Sequence, residues 1–359
     1  MQKRKLGRTG LEVGVIGLGT EYLVGQSRDT VASVVRRAVE AGVNYMDVLF
    51  AYHEYLDNMG AALEGLRQEV YIAGHLGNGE ENGQYRQTRD LAECEVLFED
   101  LLRRLQTDHV DVVMLSNCDK QDDYEQVIST DGLLGLAQRL KREGKAKYIG
   151  FSGHKVPVSR LAVESGRIDV LMHNVNFTRD ADGERRRLYE LASTKGVAVV
   201  AMKPFAGGSL LEETGKKKVT PVQCINYAVS QPGVATVVPG VKSVEELEAS
   251  LAWTSAPAEK CDYSDVIVHY QKVSSGRCVY CNHCLPCPAN IDIGATTKLL
   301  VSARGGVTSA LAEMYESLPV KPSECIKCGE CVLRCPFDVD ARANMAQAVE
   351  LFEGSSQER

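Results

Sequence analysis

Residues 30–48 read TVASVVRRAVEAGVNYMDV. The first part, Thr30–Ala41, places its valines and alanines at helical spacing, and Gly42 supplies the break at which a helix ends. A short apolar run, Val43–Val48, follows and is typical of a buried strand. One amphipathic helix joined through a glycine to one apolar strand is the repeating unit of an α/β protein with a parallel sheet.

The same unit recurs along the first 250 residues. Eight apolar runs have the length and composition of strands: Val13–Gly19, Val43–Val48, Val70–Ala73, Val110–Leu115, Tyr148–Phe151, Val170–Val175, Val197–Met202 and Ala235–Val238. The amphipathic stretches between them include Thr30–Ala41, Leu91–Leu105, Leu133–Arg142, Glu184–Thr194 and Val222–Ser230. Eight strands that alternate with helices over this length predict a (β/α)₈ barrel.

A doubly wound sheet is the alternative to a barrel. Its phosphate-binding fingerprint would have to be Gly14-x-x-Gly17-x-Gly19, which has the wrong spacing and precedes no helix. The segment Lys3–Val13, with a turn at Gly7–Gly10, is predicted to form a hairpin ahead of the first barrel strand.

The cysteines indicate a second, different domain. Of the 12 cysteines, eight fall in two short runs near the C-terminus. The second run, Cys325-x2-Cys328-x2-Cys331-x3-Cys335-Pro336, has the spacing of bacterial ferredoxins. The first run is Cys278-x2-Cys281-x2-Cys284-x2-Cys287-Pro288.

In this spacing three thiolates surround one [4Fe–4S] cluster and the fourth ligates the neighbouring cluster. The sequence therefore predicts two clusters, one held by Cys278, Cys281, Cys284 and Cys335, the other by Cys325, Cys328, Cys331 and Cys287. Structural zinc and disulfides are the alternatives, but zinc sites use pairs of cysteines and cytosolic proteins rarely carry disulfides. The segment between the runs is rich in helical patterns, which predicts a mainly α-helical cluster domain.

Composition limits the class of protein. The chain has 359 residues, of which 44% are hydrophobic and 25% charged, with a net charge of −7. This apolar fraction can bury a core, and the negative charge disfavours nucleic acid as a partner. Because no long uncharged apolar run or signal-peptide core occurs, we expect a cytoplasmic protein without a membrane span. The predicted domains are a barrel at 1–256, a connector at 257–277, a two-cluster domain at 278–345 and a tail at 346–359.

Polar side chains after the strands are the candidate site residues, because (β/α)₈ barrels carry their chemistry at the C-terminal strand ends. They are Thr20, Glu21, Asp47, Tyr52, His53, His75, Ser116, Asn117, Cys118, Ser152, His154, His173, Asn174, Asn176, Lys203, Lys242 and Ser243.

Five motifs in this order resemble those of the aldo/keto reductases. They begin at Gly17-Leu-Gly-Thr20, Asn44-Tyr-Met-Asp47-x4-Tyr52, Ile149-Gly-Phe-Ser152-Gly-His154, Ala201-Met-Lys203-Pro204-Phe-Ala-Gly-Gly208 and Val238-Pro-Gly240-x-Lys242-Ser243. The resemblance covers residues 3–252 and extends to a subgroup in which a two-cluster ferredoxin-like domain follows. It implies hydride transfer between NAD(P)H and a small carbonyl or alcohol substrate, with a tyrosine as general acid.

The family's catalytic tetrad is Asp, Tyr, Lys and His, and two of its positions are changed here. Asp47 and Tyr52 match the first two, while the Lys position reads His75 and the His position reads Ser116. A histidine is charged at neutral pH only if a neighbour holds its proton, so His75 could replace the lysine only if Asp47 pairs with it. Ser116 can donate one hydrogen bond to a carbonyl, a role that Asn117 could share.

The resemblance also implies a nicotinamide cofactor, NADP(H) or NAD(H). Ser152 matches the residue that binds the nicotinamide amide, but its usual Asn and Gln partners read Gly153 and Met172. Lys242 and Ser243 match a site for an adenosine 2′-phosphate. Further cofactor contacts are expected at Thr20, Lys203, Pro204, Gly207 and Gly240.

Three functions remain open at this point. The first is an NAD(P)H-linked oxidoreductase whose clusters connect to one-electron carriers, which include a possible redox protein partner. The second is a nicotinamide-independent redox enzyme that uses His75, Ser116 and Cys118. The third is a non-enzymatic electron-transfer or sensor protein with the barrel as scaffold. The sequence predicts neither the substrate nor the oligomeric state.

Overall fold

The computed structural model describes residues 1–178, 183–211, 219–270, 276, 278, 280 and 282–354. The chain divides into two compact units. The barrel unit consists of Met1–Gly79 and Gln87–Val273, and the cluster unit consists of Glu80–Arg86 and Ser274–Arg359. Cys281 lies outside the described residues.

The barrel unit is built around a parallel sheet. The strands in chain order are β1 Lys3–Lys5, β2 Glu12–Gly14, β3 Leu18–Gly19, β4 Tyr45–Val48, β5 Tyr71–Leu76, β6 Asn78–Glu81, β7 Gln84–Gln87, β8 Val110–Leu115, β9 Ala146–Gly153, β10 Val170–Asn174, β11 Ala198–Met202 and β12 Val234–Val238. Eight of them form one sheet in the order β12-β11-β10-β9-β8-β5-β4-β3. Parallel bridges from Ile16 to Val237 and from Gly19 to Gly240 join its two edges. The predicted barrel is confirmed.

The first predicted strand is wrong in its extent. Instead of one strand over Val13–Gly19, β2 pairs antiparallel with β1, and only Leu18–Gly19 pairs with β4. The Asn44 side chain holds β2, because it accepts from the Gly14 N–H at 2.7 Å and donates to the Glu12 carbonyl at 2.9 Å. Every position of the run is apolar or glycine, so the sequence pattern contains no sign of this division.

The β1–β2 hairpin, predicted from the sequence, packs on the beginnings of the barrel strands. Leu6 and Val13 are buried in the core cluster that includes Tyr45 and Ala198. Gly7 packs closely against the chain near Gly196, and a Cβ on Gly7 would lie 2.5 Å from the Gly196 carbonyl oxygen. With φ at +53°, this position requires glycine.

Several helices of the barrel unit begin at the sequence signals expected for helix starts. The helices of the unit are α1 Arg28–Glu40, α2 His53–Ala62, α3 Leu91–Arg104, α4 Gln121–Val127, α5 Leu133–Arg142, α6 Val156–Glu164, α7 Glu184–Thr194, α8 Pro221–Val229, α9 Val244–Leu251, α10 Ala258–Cys261 and α11 Ser264–Tyr270. Ser27 and Asp90 cap α1 and α3, and Thr220 forms a capping box with Gln223 on α8. The predicted connector contains α10 and α11, which are grouped with the barrel unit.

The cluster unit contains α12 Ile293–Ser302, α13 Ser309–Glu316, α14 Glu330–Arg334 and α15 Ala341–Phe352. α12 and α15 pack through Leu299, Leu300 and Ala348, and Phe352 stacks on Tyr315 with ring centroids 4.4 Å apart. The predicted tail at 346–359 therefore begins too early, because residues up to Phe352 belong to a packed helix. Residues 355–359 lie outside the described part.

None of the described helices combines the length and the apolar character needed to cross a membrane.

Candidate functional site

Three of the predicted catalytic residues form one hydrogen-bonded chain. Asp47 lies on β4, His75 on the adjacent β5, and Ser116 directly follows β8. His75 Nε2 lies 2.7 Å from Asp47 Oδ1, and His75 Nδ1 lies 2.5 Å from Ser116 Oγ. The parallel register of neighbouring strands brings the three side chains together at one end of the sheet.

This chain can satisfy either charge state of the imidazole. An ionised Asp47 accepts from Nε2–H, and a neutral His75 then accepts from the Ser116 hydroxyl at Nδ1. When the ring is protonated, Nδ1–H donates to Ser116 Oγ instead. The His75 side chain and Ser116 are fully buried, whereas the Asp47 side chain retains 12% exposure. The hydroxyl of Ser116, predicted to meet a carbonyl, therefore points to His75 in this structure.

Asn117 belongs to a buried network beside this chain. Its amide donates to Asn78 Oδ1 at 2.7 Å, and Asn78 donates to the Leu49 carbonyl at 2.9 Å. Arg89 Nη2 donates to the carbonyl oxygens of Ser116 and Asn117 at 3.1 and 3.2 Å. Asn78 and Arg89 were not predicted from the sequence, because each donates to backbone carbonyls 27–29 positions away.

Tyr52 immediately precedes α2 and is partly buried, with its ring centroid 5.4 Å from that of Phe50. Thr20, predicted to contact a cofactor, is fully buried and donates to the Asp47 carbonyl at 2.6 Å. Its hydroxyl is also hydrogen-bonded to that of Tyr55. Burial raises the pKa of Tyr55 well above its ordinary value, so this phenol stays neutral. Thr20 thus fixes the backbone at Asp47.

The other expected cofactor residues occupy different environments. Ser152 and Gly153 are buried at the end of β9, and Met172 is 1% exposed within the barrel core. Lys203 has φ at +54°, and its ammonium lies 3.5 Å from Glu21, a pair that joins the ends of β3 and β11. Pro204 is buried and Gly207 has a positive φ.

The residues after β12 form a helix N-terminus that suits an anion. Ser243 accepts from the Glu246 N–H and caps α9, and the Lys242 side chain beside it is 59% exposed. A helix N-terminus with a neighbouring cation favours phosphate groups. Glu246 competes for the same groups, because it accepts from the Lys242 N–H at 3.0 Å and lies 3.8 Å from its ammonium. Gly240 is covered by the Tyr22 ring, which a Cβ would approach to 2.8 Å.

In the cluster unit the cysteines surround two cavities. The lining of one includes Cys287, Cys325, Cys328 and Cys331. The lining of the other includes Cys278 and Cys335. Cys284 lies at the wall of both. Each cavity thus combines cysteines from both runs.

The two runs share one backbone path. The second residue after the first cysteine has a positive φ in both runs, at Tyr280 and Lys327. The third residue after the Cys-Pro cysteine does so too, at Asn290 and Asp338. Two residues further on, Asp292 and Asp340 cap α12 and α15. The described parts of the two runs, together with α12 and α15, therefore form an internal repeat within the unit.

The donor chemistry at the first cavity fits a cationic iron centre. Burial raises the pKa of the Cys331 thiol, and the nearby sulfurs of Cys328 and Cys325 raise it further. Several thiolates are unfavourable beside one another unless positive metal ions compensate their charge. A [4Fe–4S] cluster supplies that charge, and the fold provides thiols on several sides of each cavity.

The aldo/keto reductase family model matches residues 13–223, more than half of the chain. The chain belongs to the aldo/keto reductase family. A model of a 4Fe-4S dicluster domain matches residues 277–340. Both confirm the resemblance predicted from the sequence motifs.

Individual relatives match the barrel over most of their own length. The oxidoreductase YqkF of Bacillus subtilis is 24% identical over 291 residues, which are 71% of this chain and 92% of that protein. L-Galactose dehydrogenase of Arabidopsis thaliana is 24% identical over 288 residues, 70% of this chain and 88% of that protein. The holo structure of aldo-keto reductase AKR11C1 from Bacillus halodurans aligns with a TM-score of 0.63 at 25% identity, covering 76% of this chain and 97% of that one.

Proposed function

We propose that this protein is a cytoplasmic iron–sulfur oxidoreductase that interconverts a small carbonyl compound and its alcohol with NAD(P)H at the barrel mouth. The contact that carries the proposal is the 2.7 Å hydrogen bond between Asp47 and His75. It gives the imidazole the carboxylate partner that a histidine needs to act as the cation in place of lysine. When the alcohol is oxidised, the two electrons of the hydride would leave one at a time through two [4Fe–4S] clusters, which take up one electron each, to a one-electron carrier.

In the proposed mechanism Tyr52 is the general acid. When bound, a nicotinamide would supply or accept the hydride at the carbonyl carbon. Tyr52 gives its phenolic proton to the carbonyl oxygen as charge develops there, so the reduced product is an alcohol. The protonated His75, held by Asp47, would favour the phenolate that this transfer leaves behind. Ser116 holds the imidazole through Nδ1, and Thr20 holds the Asp47 backbone.

The residues around α9 support binding of the cofactor's phosphates. Lys242 and the α9 N-terminus would hold the anionic end, with Ser243 ordering that turn. Lys203, held by Glu21, would contribute a second cation. In the cluster unit each cluster would accept or donate one electron. The cysteine thiolates that line the two cavities, which come from both runs, would hold the clusters.

Anaerobic titration with NADPH and NADH tests the proposal. We expect saturable enhancement of cofactor fluorescence, followed by bleaching of the cluster absorbance when the reduced cofactor is present. Binding without bleaching would separate the two chemistries and leave a simple carbonyl reductase with a second redox unit. Bleaching by another reductant with no binding of either nucleotide would instead favour the nicotinamide-independent enzyme.

Lys242→Ala should weaken NADPH binding about tenfold while NADH binding stays within about twofold. The tenfold loss corresponds to the low end of the 1.5–3 kcal/mol that a charge-assisted hydrogen bond contributes. The low end is expected because the Lys242 side chain is largely exposed. Glu246→Gln removes the competing carboxylate and should strengthen NADPH binding severalfold. Dissociation constants from the same titration measure both. Equal losses for both nucleotides in Lys242→Ala would refute a 2′-phosphate contact.

A further inference from the structure

The loop that carries Cys287 is held by a side chain from a distant part of the sequence. Gln84 Oε1 accepts from the Cys287 N–H at 2.9 Å. Gln84 Nε2 donates to the Cys287 carbonyl at 3.2 Å and to Asn290 Oδ1 at 2.6 Å. One amide thus contacts both backbone groups of a predicted cluster ligand and the residue that turns the chain after it. All three residues belong to the cluster unit.

The internal repeat shows what Gln84 replaces. In the second run three residues separate Cys331 from Cys335, and α14 forms there, so the Cys335 N–H donates to the Val332 carbonyl at 3.3 Å. In the first run only two residues separate Cys284 from Cys287, and the described backbone forms no helix at that point. The Cys287 N–H therefore donates to the Gln84 side chain, whereas the equivalent Cys335 N–H of the second run donates to a backbone carbonyl.

Other contacts hold the same loop and hairpin. Arg334 donates to the Pro286 carbonyl at 2.6 Å from the side of α14. Tyr85, the residue after Gln84, is 2% exposed and packs edge-on against His283 with centroids 6.1 Å apart. The segment around Gln84 is thus packed into the cluster unit. This segment follows β5 in the chain and would otherwise be expected to be a mobile surface loop.

We propose that Gln84 is a positioning residue for the cluster that Cys287 helps to hold. The proposal rests on the two-cluster assignment of the proposed function. A side chain that fixes the backbone on both sides of a ligand fixes the direction of its thiolate, and loss of such an outer contact typically costs 10–100-fold in metal affinity. Gln84 is able to do this because its amide has both a donor and an acceptor, which match the N–H and C=O of Cys287.

The test uses Gln84→Ala and Gln84→Glu in the full chain, purified anaerobically. In Gln84→Ala one of the two clusters should be lost to an iron chelator about 10–100-fold faster than in the parent. In Gln84→Glu the acceptor for the Cys287 N–H remains and the donor is lost, so faster loss of the same cluster is expected with a smaller change. The added negative charge should also lower the midpoint potential of that cluster.

Glu81→Gln is the matched control, because Glu81 lies on the same hairpin with a side chain that is 57% exposed. Cys287→Ser identifies which electron paramagnetic resonance signal belongs to the affected cluster. The proposal is overturned if Gln84→Ala leaves both clusters unchanged, or if Glu81→Gln labilises a cluster as strongly. Absence of iron and sulfide from the parent protein would contradict the two-cluster assignment itself, which distinguishes that failure from a failure of Gln84.

Discussion

Tyr52→Phe should lower kcat for reduction of a small activated aldehyde or dicarbonyl by about 10²–10⁴-fold, the contribution typical of a general acid. The substitution removes only the hydroxyl and keeps the ring that lies 5.4 Å from Phe50. Because a general acid acts on the charge that develops in the transition state, KM should change much less than kcat. Steady-state kinetics with NADPH, on protein with verified cluster content, measure both parameters.

Tyr71→Phe is a suitable control, because Tyr71 also loses a phenol hydroxyl but lies at the beginning of β5. The residues predicted to be catalytic lie at the opposite end of the strands, so Tyr71→Phe should retain the parental kcat. Full activity of Tyr52→Phe on the physiological substrate would show that the site no longer uses aldo/keto reductase chemistry. The nicotinamide-independent enzyme would then be the better explanation.

His75, which stands where the family's tetrad has a lysine, allows a second and independent test of the same site. His75→Lys puts a cation beside Asp47 that remains charged to about pH 10, whereas a histidine loses its charge nearer neutrality. Carbonyl reduction by His75→Lys should therefore persist to higher pH than reduction by the parent. His75→Gln keeps a hydrogen-bond donor for Asp47 without a charge and should be poorly active throughout. Identical pH–rate profiles for His75→Lys and the parent would remove the proposed role of the imidazole.

The sequence predicted the barrel because each strand and helix carries its own local pattern. β8 and α5 have the predicted limits, and α3 differs from the prediction by one residue at its end. The division of Val13–Gly19 was not predictable, since β2 is held by the side chain of Asn44 and Ile16 pairs with Val237. The last helix was missed because it packs through long-range contacts, such as the stacking of Phe352 on Tyr315 across 37 residues.

At the candidate site the sequence identified residues but not their partners. Asp47, His75 and Ser116 follow predicted strands, so their positions near one strand end could be expected, and the hypothesis that Asp47 pairs with His75 agrees with the observed contact. The direction of the Ser116 hydroxyl was not predictable, because it depends on which ring nitrogen lies toward β8. Gln84 could not be found either, since nothing in its local sequence indicates a partner 203 positions away.

Cys287→Ser should damage the cluster associated with the second cysteine run, although Cys287 itself belongs to the first. The cavity that Cys287 lines also contains Cys325, Cys328 and Cys331. Loss of one of four thiolate ligands leaves an iron without its charged donor, so that cluster should be lost or reduced to three irons. Iron and sulfide should fall from about eight of each per chain toward about four, and one of two paramagnetic signals should disappear.

Cys335→Ser is the reciprocal variant, and comparison of Cys287→Ser with Cys281→Ser decides between crossed and local ligation. Cys335 lines the other cavity together with Cys278, so its loss should remove the signal that Cys287→Ser preserves. Cys261→Ser controls for the loss of a thiol, because Cys261 ends α10 in the barrel unit and lines neither cavity. If each run held its own cluster, Cys287→Ser and Cys281→Ser would remove the same signal. With crossed ligation they must remove different ones, because Cys287 alone of the first run serves the cluster of Cys325, Cys328 and Cys331.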